Sequence, residues 1–275
     1  MVSSDQRRRQ LAREKYERQQ QRRDAARRKA KRRNVIVASA LAVALAAGAA
    51  AYASIGLAGG DGGTTDAAAP SPSKAADPCG KPAPGSPSKK TWKKEPEMSV
   101  DTSAAYAMKL ETTCGDIGIK LDAAKAPHTV NSFSFLAGEK FFDHSKCHRL
   151  VDEGIYVLQC GDPTGTGAGT PGYTIPDENL KDPKLKGDVY PAGTVAMANR
   201  YDGKSDKTRN SGGSQFFLVY QDSKLPPNYT PFGTITEGMD VLKKIAVAGS
   251  TPDPSTGNTA PNATVVINRA TVARS

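Results

Sequence analysis

The chain has 275 residues, with 38 Lys+Arg against 28 Asp+Glu, a net charge of +10, 37% hydrophobic residues and 6% aromatics. Residues 1–33 alone carry 14 Lys+Arg and four Asp+Glu, so the whole surplus lies in one tail and the remainder is neutral. That distribution excludes a globular domain with a broad nucleic-acid-binding face, and the low apolar content excludes a packed core along the full length.

The tail, residues 1–34, contains RRRQLAREKYERQQQRRDAARRKAKRR. It uses good helix formers but has no apolar stripe, and a helix polar all round is seldom stable alone. The expected state is disordered, or helical against anionic lipid, where each base adds about 1 kcal/mol. Only Tyr16 interleaves the bases, so nucleic acid is not an expected partner. Residues 35–58, VIVASALAVALAAGAAAYASIGLA, carry no charge. As a helix this run reaches ~36 Å, enough for a hydrocarbon core of ~30 Å. A cleaved signal peptide is the rival, but its apolar region usually runs only about 7–15 residues. The long run and long basic lead favour an uncleaved transmembrane helix. Arg32 and Arg33 before it place the N-terminus in the cytoplasm and the rest outside, as a single-pass protein of the cell membrane.

Residues 59–103 are rich in Gly, Pro, Ala, Ser and Lys and include Trp92, the sole tryptophan. The composition predicts a disordered linker averaging about 35–40 Å end to end. From 104 to 275 the texture is that of a folded domain. Alternating runs predict strands at 105–112, 116–122, 146–151, 156–161, 193–199, 215–220, 230–235 and 265–273, with Cys114-Gly115-Asp116 as a hairpin turn between the first two. Two segments read as helices. The first, 126–142, has Pro127 at its start and an apolar face of Val130, Phe133 and Leu136; the second, 239–248, groups Val241, Leu242 and Ile245. The class is mainly β, a closed barrel or a sandwich, in one domain.

Standard constellations do not account for the domain. There is no GxSxG, HExxH or CxxC, and Ser214 sits in GGSQF. His144, Cys147, His148 and Cys160 have the chemistry of zinc ligands, yet strand neighbours such as Cys147 and His148 point to opposite faces, so no metal is expected. The Gly-rich run 161–172 lacks the Lys-Ser/Thr ending of a phosphate loop. What remains is a set of neutral hydrogen-bonding and apolar groups around one arginine, Arg149.

The ordered motifs CHRLV…YVLQCGDPTGTG, GTVAMANR, SGGSQFFLVY and LPPNYTPFGTI resemble a cyclophilin, the cyclosporin-binding family of peptidyl-prolyl cis–trans isomerases. The resemblance covers about 105–273. It implies a closed eight-stranded antiparallel β-barrel with two capping helices, here preceded by the transmembrane helix. It also implies roles: Arg149 as the catalytic arginine, Gln159 as the group that orients it, and His148 beside them. Phe217, Val157, Leu225 and Tyr156 are implied to line the proline socket. Ala198 and Asn199 match the segment that pairs with the peptide, Gln215 a further polar groove residue, and Tyr229 a position where many members have His. Lys224 replaces a tryptophan of many members, and the 200–212 loop is longer than usual. The expected partners are proline-containing polypeptides, with no cofactor, and the expected state is a monomer.

Such residues suit the reaction. Rotation about a peptide bond meets a barrier of ~18–20 kcal/mol, and at X–Pro the isomers differ by only ~1 kcal/mol. A catalyst must therefore favour the twisted amide over both planar forms. The freed lone pair on the prolyl nitrogen calls for a fixed cationic donor. The rival is a module that holds proline peptides without useful turnover. Cys79, Cys114, Cys147 and Cys160 lie on the oxidising side of this topology. Strand parity places Cys147 with Arg149 and Cys160 opposite Gln159, which argues against Cys147–Cys160 without a bulge, and the pairing stays open.

Overall fold

The computed structural model describes residues 76–201, 203–253 and 258–274. The tail and the uncharged run 35–58 lie outside them. Among the described residues no helix is long and apolar enough to cross a membrane. The chain divides into two units, Met1–Ser71 and Pro72–Ser275, and the described residues belong to the second.

Among the described residues, nine strands make up the main sheet. They are β1 (Tyr106–Thr112), β2 (Gly115–Leu121), β3 (Ser145–Lys146), β4 (Arg149–Val151), β5 (Val157–Cys160), β7 (Thr194–Met197), β8 (Phe216–Val219), β10 (Pro231–Glu237) and β13 (Val266–Arg274). They form one antiparallel sheet in the order β3-β13-β1-β2-β10-β7-β8-β5-β4. Two small pairs stand outside it: β6 (Val189–Tyr190) with β9 (Ser223–Lys224), and β11 (Ser250–Pro252) with β12 (Thr259–Pro261).

The expected eight-stranded closed barrel is thus a curled sheet of nine strands. The difference comes from the predicted strand 146–151, which breaks at Cys147 and His148. Its first half pairs with β13 and its second with β5, so the two edge strands of the sheet are consecutive pieces of chain.

Inside the curl, Leu150, Leu158, Leu218 and Val195 lie in register on four adjacent strands and are fully buried. Helix α1 (Pro127–Gly138) drives Val130, Phe133 and Leu136 into the same core. Phe133 packs on Phe232, Phe142 and Phe216 with ring centroids 4.6, 5.2 and 5.5 Å away. The first turn of α1 has no side-chain cap of its own. Glu178 supplies one from a distant loop, accepting from the backbone N–H groups of His128 and Thr129 and from the Thr129 hydroxyl. A carboxylate there satisfies otherwise orphaned donors at the positive end of the helix. The helix stops short of 142 because Lys140 takes a left-handed φ of 58° and Phe141 bonds back to the Leu136 carbonyl. Helix α2 (Met239–Val247) buries Val241, Leu242 and Ile245, as its spacing predicts.

Residues 76–103, expected as free linker, instead run as a strap along the domain without forming helix or strand. Cys79 is disulfide-bonded to Cys114 at the β1–β2 turn. The Ala83 N–H bonds Asn268, and Gly85 lies flat against the His144 ring, leaving no room for a Cβ. Trp92 packs its ring on Phe135 and Phe141 with centroids 5.1 and 5.9 Å away, and its backbone N–H donates to the Pro171 carbonyl. Glu95 meets His128, while Asn131 ties the backbone at Pro96, Glu97 and Ser99. Composition misreads this segment because its anchors are one tryptophan, one disulfide and scattered polar bonds, not an apolar period.

Trp92→Ala in the full chain is expected to cost about 2–3 kcal/mol in urea unfolding, below a fully buried tryptophan because Trp92 keeps some exposure. Met98→Ala, on an exposed strap residue, should stay within about 0.5 kcal/mol. Equal stabilities for the two variants would mean that the strap does not hold the domain.

Candidate functional site

The strands that bury leucines inward carry a second set of side chains outward. Arg149, Gln159, Phe217 and Ala196 are direct partners across β4, β5, β8 and β7. Val157, Phe217, Ala196, Val219, Tyr190 and Leu185 form an apolar cluster separate from the main core. Beside it lies a pocket of about 120 Å³. Ile155, Val157, Phe217, Leu225 and Tyr229 give its apolar lining, and Arg149, Gln159 and Asn199 its polar one. A cavity of about 150 Å³ accepts benzene, so this pocket suits a smaller ring of pyrrolidine size.

Tyr190 fixes one wall. Its hydroxyl donates to the Tyr229 carbonyl and accepts from the Tyr229 N–H, at 2.8 and 3.1 Å. Burial pushes that phenol up to about 12, so it remains a neutral donor. Phe217 and Tyr229 meet edge to face at 5.4 Å.

The polar side is a chain of amides. Arg149 Nη1 donates to Gln159 Oε1 at 3.3 Å, and Gln159 Nε2 donates to Gln215 Oε1 at 2.9 Å. Gln215 Nε2 in turn donates to the carbonyls of Gly167 and Gly169 at 2.9 and 3.0 Å. Each amide's orientation is set by its neighbour, so Gln159 must present its oxygen to Arg149.

The loop that ends this chain is built on Asp162, which is fully buried. Its carboxylate accepts from the N–H groups of Thr164, Thr166 and Gly167 and from the Thr164 hydroxyl. Burial alone raises the pKa of such a group, but bonds from Thr164, Gly169 and Gly167 outweigh it and hold the carboxyl below its ordinary value. The Gly-rich run therefore wraps a protein carboxylate. Gly161, with φ of 88°, enters this loop so close to the Ser214 carbonyl that no Cβ fits.

A larger cavity of about 690 Å³ continues past this loop, sharing Gln159, Ala198 and Asn199 with the small pocket and bounded by Gln215 and Arg200. The long loop borders it and is held in place. Arg209 stacks 3.6 Å over the Tyr201 ring and donates to Asn228, whose carbonyl accepts from the Asn199 side chain.

Eight of the residues expected at the site thus line the small pocket: Arg149, Val157, Gln159, Ala198, Asn199, Phe217, Leu225 and Tyr229. Gln215 lies behind it, in the amide chain. Tyr156 does not line the pocket. It packs toward the main core, 5.9 Å from Tyr220, and Ile155 takes the wall position. Alternation is the reason, since Ile155, Val157 and Gln159 share a face that Tyr156 opposes. His148 also turns away. It is buried beneath the loop near Gly167, and among the described residues its Nδ1 has no partner.

Cys147 and Cys160 are joined in a disulfide, so neither thiol is free for a metal. Strand parity fails for this pair because the break between β3 and β4 buries Cys147 and His148 in succession. Sequence alone assigns no role to Tyr190, which lies in no motif, or to Asp162, which lies inside the Gly-rich motif GDPTGTG. Ile155 was available from parity alone.

An antiparallel curled sheet thus carries an arginine–glutamine pair beside a ring-sized apolar pocket. Residues 107–272 match the family model for cyclophilin type peptidyl-prolyl cis-trans isomerases, and the chain belongs to that family.

The probable peptidyl-prolyl cis-trans isomerase B of Mycobacterium leprae is 47% identical over 172 residues, covering 59% of this chain and 55% of that protein. Its counterpart in Mycobacterium tuberculosis is 44% identical over 171 residues, with coverages of 59% and 53%. The match therefore spans about half the length of these relatives. The peptidyl-prolyl cis-trans isomerase B of Bacillus subtilis is 37% identical over 143 residues, 48% of this chain and 91% of that protein. A crystal structure of a cyclophilin type isomerase from Cryptosporidium parvum superposes with a TM-score of 0.49 at 27% identity, covering 62% of this chain and 98% of that one.

Burial lowers the pKa of His148, with Arg149 adding to the effect and Asp162 opposing it. The folded state thus keeps this imidazole neutral while the unfolded chain protonates it near pH 6.5. The unfolded state binds the extra proton, so stability falls as pH drops below about 6.5 toward the lowered folded value. Urea midpoints measured from pH 7.5 to 5 should show this loss, and His148→Gln should flatten the slope. An unchanged slope would show that another group carries it.

Proposed function

We propose that the protein catalyses cis–trans isomerisation of X–Pro bonds in exported polypeptides. The observation that carries this reading is the row Arg149–Gln159–Phe217 across neighbouring strands. Arg149 and Phe217 stand two strand spacings apart, about 10 Å, and both line the pocket, so the long arginine side chain can reach an amide nitrogen whose proline ring occupies the pocket at Phe217. As the X–Pro amide twists, conjugation is lost and the nitrogen regains a lone pair. The guanidinium donates a hydrogen bond to that lone pair and to neither planar isomer, which lowers the barrier selectively. Gln159 holds the guanidinium, and Gln215 with the Asp162 loop holds Gln159. Asn199 lies beyond the end of β7, where its backbone can meet the peptide on the side that stays fixed. The long 200–212 loop borders the larger cavity through Arg200 and Ser211. No bond is broken.

The membrane location belongs to the same proposal. The uncharged run 35–58 and its basic flank support a single-pass anchor with this domain outside the cytoplasm. Two disulfides among the described residues support the same side, since such bonds persist in oxidising compartments.

The test is NMR exchange spectroscopy on an X–Pro peptide, which needs no coupling protease. The chain should accelerate exchange, and Arg149→Ala should lower kcat/KM by roughly 10²–10³, as for loss of a key transition-state donor. Lysine at 149 should restore little of it, because an ammonium cannot use the guanidinium fork. Phe217→Ala should instead act mainly on peptide affinity. A folded chain that binds the peptide but leaves exchange unchanged would make the protein a peptide-binding module.

A further inference from the structure

The Cys147–Cys160 disulfide brackets the arginine–glutamine pair. Cys160 directly follows Gln159, and Cys147 lies two residues before Arg149. The strand that carries Arg149 is a weak element in isolation. β4 has three residues, sits at the edge of the sheet, and makes its ladder only with β5. Its start is also the point where the chain leaves β13: the Cys147 N–H still donates to the Val265 carbonyl, just ahead of β13, and the ladder with β5 begins only at Arg149. Short edge strands of this kind fray readily.

The Val265 bond ties Cys147 to the β13 side only, and a covalent link between Cys147 and the end of β5 adds a tie to the partner strand at the end of β4 that bears Arg149. Both cysteines are buried in the core, at 3% and 1% exposure, on the side opposite the groove. The link therefore acts on backbone position and touches nothing in the pocket.

We infer that this disulfide is a positioning element for Arg149, holding the register in which the guanidinium meets Gln159. The inference rests on the isomerase reading above. It is distinguished from general stabilisation by the second disulfide. Cys79–Cys114 closes a separation of 35 residues against 13, so chain entropy makes it the stronger stabiliser. It ties the strap to the β1–β2 turn and reaches no strand of the pocket. Positioning therefore predicts opposite rankings: the 79–114 pair matters more for stability, and the 147–160 pair matters more for rate.

The experiment compares five full-length chains: wild type, Arg149→Ala, Cys79→Ala with Cys114→Ala, Cys147→Ala with Cys160→Ala, and this last pair combined with Arg149→Ala. Exchange rates on one X–Pro peptide, peptide Kd and thermal midpoints are measured well below the lowest midpoint. The 147/160 variant should lose about tenfold in kcat, since a misplacement of about 1 Å can cost up to 10²-fold, with Kd changed less than about twofold. The 79/114 variant should have the lower midpoint and an unchanged rate.

In the Arg149→Ala background, removing the 147–160 bond should cause no further loss, because its effect passes through Arg149. Full activity in a folded 147/160 variant would overturn the inference, as would an equal further loss without Arg149. If that variant does not fold, the Cys79→Ala with Cys114→Ala chain, whose one remaining disulfide is 147–160, gives the rate comparison when treated with a reductant while still folded. Absence of acceleration by wild type would instead overturn the isomerase reading itself.

Discussion

Everything at the site depends on the two-residue period of β4, β5, β7 and β8. In register, these strands must send one set of side chains into the curl and the next set out. Leu150, Leu158, Leu218 and Val195 occupy the inner set and are fully buried. Arg149, Gln159, Phe217 and Ala196 are consequently presented outward, in line. A slip of one residue in the β4–β5 pairing would exchange the sets, burying a guanidinium and exposing leucines. Core packing thus sets the position of the polar row.

The outward row still needs orientation, and hydrogen-bond chemistry supplies it. Gln159 has two chemically different ends, and Gln215 takes the donor end. Gln215 is in turn fixed by carbonyls of a loop that folds around a buried carboxylate. The charge on Asp162 is satisfied locally by four donors, so it organises the loop without adding an uncompensated charge near the groove. The apolar wall follows the same logic, with Tyr190 gripping Tyr229 through both backbone groups.

The larger strands and both helices were legible in the sequence because each has a period that burial imposes. The pocket was largely legible too, through motifs and through parity. Where motif matching and parity disagreed, at Tyr156 and Ile155, parity gave the correct lining residue. Parity failed where the backbone ceased to be a strand, at Cys147 and His148, and the disulfide pairing was hidden with it. Tyr190 acts through bonds to distant backbone and Asp162 through bonds within its own Gly-rich loop, and neither role follows from an apolar period. The strap was illegible for a related reason: its Pro, Gly and Lys content describes what it lacks, while its attachment depends on Trp92 and Cys79 meeting partners far along the chain.

The attachment of Cys79 also decides how the domain bears mechanical load. Tension on the chain ahead of Cys79 enters the folded unit there and passes through a covalent bond to the β1–β2 turn. The rest of the strap, from Cys79 to residue 103, is then bypassed and carries no force, so Trp92 and the polar contacts beside it are not peeled away. β1 and β2 sit in the interior of the sheet order, separated from β4 and β5 by β10, β7 and β8. A pull arriving by this route is spread over long ladders before it reaches the short strand that carries Arg149.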